Sequence, residues 1–294
     1  LSQCVGRGMF RLASQTLRTT GTWRTPRLCV ALRTLPDGAL LTDTHEPAEL
    51  EWPEFHNGAA SALEIGAAPV DSSWIFAHAG DTRGARARHA GFLLGLGLQG
   101  HLRTLGRVHA YRYLAPRHTL TTMGLVLGLA ASFIGTGDPV ARQIMAVQVA
   151  AFLPAGSVPL HMAPLTQATG LLGMGLVFCG TDHRWTAARL VAQLDAPLDT
   201  SEALDRHRDV YAHCAGLALG LVHLGRARRT GMSSAADLAL TARLCRLLTP
   251  TDDTPPLAAV RSAAAASLAL ALLFLRSGRR DVAEALKPPA LDAL

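Results

Sequence analysis

Lysine is almost absent from this sequence: Lys287 is the only one, and every other basic residue apart from histidine is arginine. Aromatic residues make up 5% and charged residues 17% of the 294 positions, against 49% hydrophobic. So little charge excludes a disordered, charge-rich chain. The scarcity of aromatics, with Ala, Leu and Gly in excess, argues against a β-sandwich and for closely packed helices. The cysteines, Cys4, Cys29, Cys179, Cys214 and Cys245, are odd in number and no two stand at CxxC spacing. That pattern excludes a disulfide framework and fits a reducing compartment.

Acidic residues are missing from Thr82 to Thr136, a stretch that holds Arg83, Arg86, Arg88, Arg103, Arg107, Arg112 and Arg117. The net charge of +6 is thus unevenly spread. One reading is a solvated face of an arginine-biased chain. The other is a surface for an acidic partner protein, with Arg103, Arg107, Arg112 and Arg117 as the candidate partner-binding residues. Nucleic acid is not expected as a partner, because these arginines alternate with long apolar runs and lack neighbouring aromatics for base stacking. Long hydrophobic runs are absent too. Although mean hydropathy is +0.22, the longest runs, Met123–Gly137 and Ser262–Leu275, are about 14 residues each, short of the ~20 a spanning helix needs. Buried helices are expected there, not membrane spans. No charged-then-apolar leader stands at the start, which is Leu1 and not Met. A fragment of a longer chain is expected, with residues 290–294 as its truncated C-terminal end.

What the sequence does have is repetition. HAGFLLGLGLQG (89–100), TTMGLVLGLAAS (121–132), TGLLGMGLVF (169–178), CAGLALGLVHLG (214–225) and AAASLALALLFLR (264–276) are each an Ala/Gly/Leu run of some three turns, and HNGAASALEIG (56–66) resembles a degenerate further copy. Gly95, Gly128, Gly173 and Gly220 stand at equivalent places, 33, 45 and 47 residues apart, and Ala269 follows after 49. A period in the 20–50 range is the mark of a solenoid of small supersecondary units. Each copy precedes a more amphipathic segment. Asp138 and Pro139 form an N-cap and first-turn pair ahead of Val140, Ile144, Val147 and Ala151. Thr181 or Asp182 is expected to cap a helix with Trp185, Ala188, Val191 and Leu194 on one face, and Ser233 or Ser234 one carrying Leu238, Ala242 and Cys245.

The repeating unit is therefore read as an apolar helix, a turn and an amphipathic helix. The apolar helix must be buried nearly all round. Glycines four apart, Gly91 with Gly95, Gly124 with Gly128 and Gly216 with Gly220, share one helix face. Each costs about 1 kcal/mol relative to Ala in a helix, which close backbone approach must offset. Gly91, Gly95, Gly97, Gly124, Gly128, Gly173, Gly175, Gly216 and Gly220 are the expected helix-packing glycines. Residues 1–51 differ, with short apolar pieces at 28–32 and 39–41 between Thr, Pro, Gly and Asp, and read as short strands and turns.

Motifs for chemistry are weak. GLGLQG (95–100) matches the G-x-G-x-x-G of a dinucleotide loop, but GARARHA before it is no strand and no acid follows about 20 positions on. The other copies do not keep the three glycines. None of the 12 histidines stands in HExxH or a paired His–Cys spacing. His109 and His118 flank a tyrosine-containing turn, and His183 falls in the first turn of an expected helix, where a structural hydrogen bond suits it. No G-x-S-x-G and no Cys–His pairing suggests a nucleophile. No enzyme, cofactor or metal is expected.

Between the weak runs lie specific polar signatures: WPEFHNG (52–58), DSSWI (71–75), YLAPRHTLTTMGLVLGLAASFIGTGD (113–138), LPAGSVPL (153–160), LTQATGLLGMGLVFCGTDHRW (165–185) and YAHCAGLALGLVHLG (211–225). In this order they resemble the proteasome/cyclosome repeat region of the largest scaffold subunits of the anaphase-promoting complex. RLCVAL (27–32) and FLRSGRRDVAEALKPP (274–289) resemble its flanking segments, so the likeness covers nearly the whole chain. It implies an all-α fold, an α-solenoid of helix-pair repeats over 52–289 curling into a toroid, led by the short β-rich segment 1–51. It implies a non-catalytic part in a multisubunit ubiquitin ligase controlling mitosis, found in nucleus and cytoplasm. The implied partners are a cullin–RING module, tetratricopeptide-repeat subunits and a WD40-type coactivator that recruits substrates, with no nucleic acid and no membrane. Two departures stand out: Ala replaces Gly at 269 and 271, and the inserts between copies, such as 195–205, are short. A proteasome regulatory-particle scaffold shares the repeat and is the nearer alternative. A polytopic membrane protein built on small-residue helix contacts is the remoter one.

Overall fold

A computed structural model describes residues 32–33, 40–41, 50–65, 70–80, 82–158, 160–195, 208–225, 239–248, 256–278 and 280–286. Its backbone divides into two compact units, Leu1–Ser132 and Phe133–Leu294. Twelve α-helices occur among the described residues. None is long and apolar enough to cross a membrane.

In the first unit, β1 (Leu32–Arg33) and β2 (Leu40–Leu41) pair antiparallel, Leu32 opposite Leu41. The rest of the expected strand segment before Leu50 lies outside the described residues. Helix α1 (Glu51–Leu63) carries Glu51 and Glu54 in its first turn, where acids suit the positive end of the helix. Helix α2 (Ser72–Ala77) starts at Asp71, whose carboxylate accepts from the Ser73 N–H at 3.0 Å. Helix α3 (Arg83–Leu98) starts at Thr82, whose hydroxyl accepts from the Ala85 N–H at 3.2 Å. A 3-10 turn (His101–Thr104), α4 (Arg107–Leu114) and α5 (Thr119–Ser132) follow. The core is built by α1 against α3 and α3 against α5. Phe55, Ala87, Ala90 and Leu120 form one buried cluster in it.

The second unit repeats the scheme. Apolar helices α7 (Pro164–Val177), α9 (Arg208–Val222) and α11 (Pro256–Leu273) pack in sequence, α7 on α9 and α9 on α11. Beside them lie α6 (Pro139–Val147), α8 (Arg184–Asp195) and α10 (Leu240–Leu248), with the short α12 (Arg280–Ala285) last. The repeating stack of helix pairs is an α-solenoid. One expectation changes: each amphipathic helix packs chiefly on the apolar helix that follows it (α6 on α7, α8 on α9, α10 on α11). The short turn 178–183 still joins apolar α7 to the amphipathic α8 after it, so what changes is the packing partner and not the order of connection.

The buried faces also shift. On α8 they are Thr186, Ala187, Leu190 and Val191, while Trp185 is 41% exposed and Ala188 is exposed. On α6 they are Ala141, Ile144 and Met145. On α10 they are Leu240 and Leu244, with Ala242 exposed. Ser233, Ser234 and Leu238 lie outside the described residues. Asp138 caps α6 as expected, its carboxylate accepting from the Val140 and Ala141 N–H groups at 3.0 and 2.8 Å.

Candidate functional site

The glycine contacts and the arginine stretch are the two candidate features. The glycines sit where helices touch. A Cβ built at Gly91 would overlap the Phe55 carbonyl oxygen of α1, and one at Gly95 would lie 2.6 Å from the Ala59 oxygen and from the Ala62 Cβ. Real Cβ atoms do not approach so closely, so only glycine fits without moving a backbone. On the other side of α3, a Cβ at Gly97 would overlap the Gly128 backbone of α5. Gly124 meets the Ala90 oxygen in the same way, and a Cβ at Gly128 would stand 2.6 Å from the Leu93 oxygen. In the second unit Gly175 abuts the Ala218 backbone and Gly216 that of Ala265, while a Cβ at Gly220 would stand 2.8 Å from Leu272 Cβ. Gly173 is buried within α7. Two further glycines of this kind escaped the sequence reading: Gly58, against the Arg88 carbonyl, and Gly170, 2.8 Å from Gln148 and Val149 side chains. Gly58 had a signal, standing four residues before the buried Ala62 in the degenerate copy.

GLGLQG is accordingly the end of a helix. Gly95 and Gly97 lie inside α3, and Gly100, at φ 86°, is the left-handed residue that stops it. A dinucleotide loop needs the helix to open at this point, with its free N–H groups turned to phosphate.

The ends of the apolar helices share a second device. The last carbonyls of a helix have no partner within it. Here a neighbouring copy supplies one. Gln99 donates to the Leu63 carbonyl at the end of α1 (2.7 Å), and the Ser132 hydroxyl to the Gly97 carbonyl of α3 (2.9 Å). The Arg103 Nε donates to the Ser132 carbonyl that ends α5 (2.7 Å). In the second unit Gly135 and Gly137 donate to the Leu176 and Val177 carbonyls of α7, and Gly180 and Asp182 to those of Leu221 and Val222 in α9. All four of these donors have positive φ.

Histidines take structural places. His118 Nδ1 accepts from the Thr121 N–H (3.3 Å) and pairs with its hydroxyl (2.8 Å), and His183 repeats both contacts with Thr186 at the same distances. His183, not Thr181 or Asp182, thus caps α8. Accepting at Nδ1 fixes the proton on Nε2, and burial lowers the pKa of both rings. Asp182 instead holds the buried His223 through its Nδ1 at 2.6 Å. His109 Nδ1 is buried beside Phe76. Burial lifts the Cys214 thiol to about 11 and the Tyr211 phenol, which donates to Gln193 at 2.7 Å, to about 12. Cys179, Cys214 and Cys245 are free thiols. Among the described residues no three His, Cys, Asp or Glu side chains converge as a metal site requires.

The four candidate partner-binding arginines are all exposed. Arg103 is engaged with the end of α5, and the Arg112 guanidinium lies over the Phe76 ring at 4.8 Å. Arg107 opens α4, and Arg117 holds a left-handed turn at φ 54° before α5. Elsewhere in the acid-free stretch Arg83 pairs with Glu51, and Arg88 with Glu54 at 2.7 Å.

The sequence of these helices matches known family profiles. The family profile described as the APC1 fifth domain matches residues 139–294, and that of the APC1 fourth domain residues 1–134. The chain belongs to the APC1 family. The two profiles meet within a few residues of the divide between the structural units. Among similar proteins, anaphase-promoting complex subunit 1 of Schizosaccharomyces pombe is 34% identical over 295 residues, covering 98% of this chain and 20% of its own length. The Homo sapiens protein of the same name is 36% identical over 228 residues, 75% of this chain and 12% of its own length. A negative regulator of mitosis from Emericella nidulans is 35% identical over 245 residues, 81% of this chain and 12% of its own. The APC1-family chain therefore spans a fifth or less of the length of these relatives.

Proposed function

We propose that this chain is a non-catalytic scaffold segment of the anaphase-promoting complex, the multisubunit ubiquitin ligase of mitosis. The observation that carries the reading is the match of the APC1 fifth domain over more than half the chain, joined by relatives named as subunit 1 of that complex. The helix stack fits the role. Glycine contacts bring backbones against each other without side chains between them, which gives a stiff frame. In this reading residues 52–289 form the repeat solenoid and curl into a toroid, and residues 1–51 lead into it as a β-rich segment. The frame positions a cullin–RING module, tetratricopeptide-repeat subunits and the WD40-type coactivator, and those other subunits supply the chemistry. Its place is the nucleus and cytoplasm.

The test is affinity purification of the tagged chain from its source cell, followed by mass spectrometry. Recovery of a cullin, a RING subunit and tetratricopeptide-repeat subunits is expected. Recovery of proteasome regulatory-particle subunits in their place, or tight membrane retention after carbonate extraction, would overturn the proposal.

A further inference from the structure

Helix α4 turns one face into the first unit and the other to solvent. Ala110 and Tyr113 form the inner face and are buried. The opposite face carries Val108, Tyr111 and Ala115, at i, i+3 and i+7, which align along one side of a helix. Ala115 follows the last helical residue with helical dihedrals, φ −56° and ψ −42°. The row is therefore unbroken over about 10 Å. Val108 is 79% exposed, Ala115 is exposed and Tyr111 is half-buried. A lone apolar side chain at the surface is ordinary, whereas contiguous apolar surface rimmed by polar groups marks an interaction site.

The rim here is basic. Helical rotation puts Arg107 on one side of the row and Arg112 on the other, with Arg103 ahead of the helix and Arg117 after it. All four are exposed, and among the described residues no carboxylate pairs with any of them. Arg103 donates to the Ser132 carbonyl and Arg112 lies over Phe76, contacts that place the side chains without cancelling their charge. Two carboxylates act near the ends of α4. Asp71 interacts with His109 and accepts from Ser73, and Glu51 interacts with His118 and pairs with Arg83. Neither forms an ion pair with an arginine of α4. Charge alone does not separate a solvated face from an interface; the apolar row between the arginines does. It also favours protein over nucleic acid, because phosphates would meet the guanidinium groups and leave Val108 without a partner.

We propose that the outer face of α4 docks an acidic segment of a partner protein. Apolar side chains of that segment lie along Val108, Tyr111 and Ala115, and carboxylates on its two flanks meet Arg107 and Arg112. The docking face does not rest on the scaffold reading, because its groups belong to one helix and its test needs only the purified chain.

The probe is a fluorescein-labelled octapeptide, Glu-Glu-Leu-Asp-Glu-Leu-Glu-Glu, read by fluorescence anisotropy at about 50 and about 300 mM salt. Saturable binding is expected at the lower salt, and weaker binding at the higher. A peptide with Ser in place of both Leu residues should bind about tenfold more weakly, and one with Lys in place of every acid should not bind. Val108→Ser should weaken the Leu peptide about fivefold and leave the Ser peptide as it was, a split that charge alone does not produce. Arg107→Glu should weaken the Leu peptide about tenfold at the lower salt and less at the higher. Arg142→Glu, at an exposed position of the second unit, should leave binding unchanged. Helical circular dichroism of the three variants should match that of the unaltered chain. If one does not fold, the Leu and Ser peptides measured on the unaltered chain still decide. Equal binding of those two peptides would overturn the proposal, as would no saturable binding, an equal loss in Arg142→Glu, or tighter binding of an octauridylate RNA.

Discussion

At the scale of single residues, two glycines give losses of different size, and for different reasons, on the same substitution. Gly91→Ala places a methyl group on the Phe55 carbonyl of α1, and α1 has to move. The loss should reach about 2–3 kcal/mol, because overpacking outweighs the ~1 kcal/mol that Ala gains in helix propensity. Gly156→Ala meets nothing within 4 Å and suffers only from its φ of 82°, a cost of about 1 kcal/mol. Urea denaturation of the two variants should rank them in that order. His89 predicts a pH effect. Its folded pKa of about 4 lies below the ordinary histidine value of 6.5, so below pH 6.5 the unfolded chain takes up a proton that the folded chain refuses. Stability is full above 6.5, falls as pH drops toward 4, and levels off below it, losing about 3 kcal/mol through this group. Burial lowers His56, His118 and His183 as well, with the same sign. The urea midpoint should therefore fall between pH 7 and pH 5, and His89→Phe should flatten that slope.

At the scale of elements, caps and stops carry the boundaries. Asp138→Ala frees two N–H groups at the start of α6 and should cost about 1 kcal/mol, read as a lowered melting temperature. This cap was legible because Asp followed by Pro is a strong start signal. The cap at His183 was not, because imidazole capping lies outside the short polar set that marks helix starts, and Asp182 drew attention with a more familiar side chain. The faces of α8 and α10 were read one position or more out of phase. Short segments with small residues on several sides do not fix a phase, and packing decides it. The glycine positions were legible as a repeat; which neighbour each one meets was not. Gly91 and Gly95 face the preceding copy, α1, whereas Gly216 and Gly220 face the following one, α11. Identical spacing serves both directions, so only the fold distinguishes them. The ring cluster of Trp74, His78 and Phe92 was not legible, because helical spacing pairs Trp74 with His78 but gives no sign that Phe92 of α3 meets them.

At the scale of the whole molecule, the repeat period carried the architecture and the polar signatures carried the family. Charge asymmetry suggested a partner surface, and the structure divides its four arginines by task. Arg103 closes the end of α5 and Arg112 covers Phe76, so their replacement disturbs the fold as well as any interface. Arg107 and Arg117 are the better probes. Charge reversal at both should reduce co-purification of an acidic partner, and the deficit should shrink as salt is raised, because exposed charge pairs are screened. Unchanged partner recovery at low salt would remove the arginine surface from consideration.

In the second unit the donors that close apolar helices α7 and α9 stand just ahead of α6 and α8. Gly135 and Gly137 precede α7 by more than twenty residues in the chain, and Gly180 and Asp182 precede α9 likewise. A ribosome therefore releases the receptor before the end it will receive. As each new apolar helix emerges, the groups that finish it already stand on the copy made before it. In the second unit synthesis and closure then run in the same direction, whereas in the first Gln99 and Ser132 finish helices made before them.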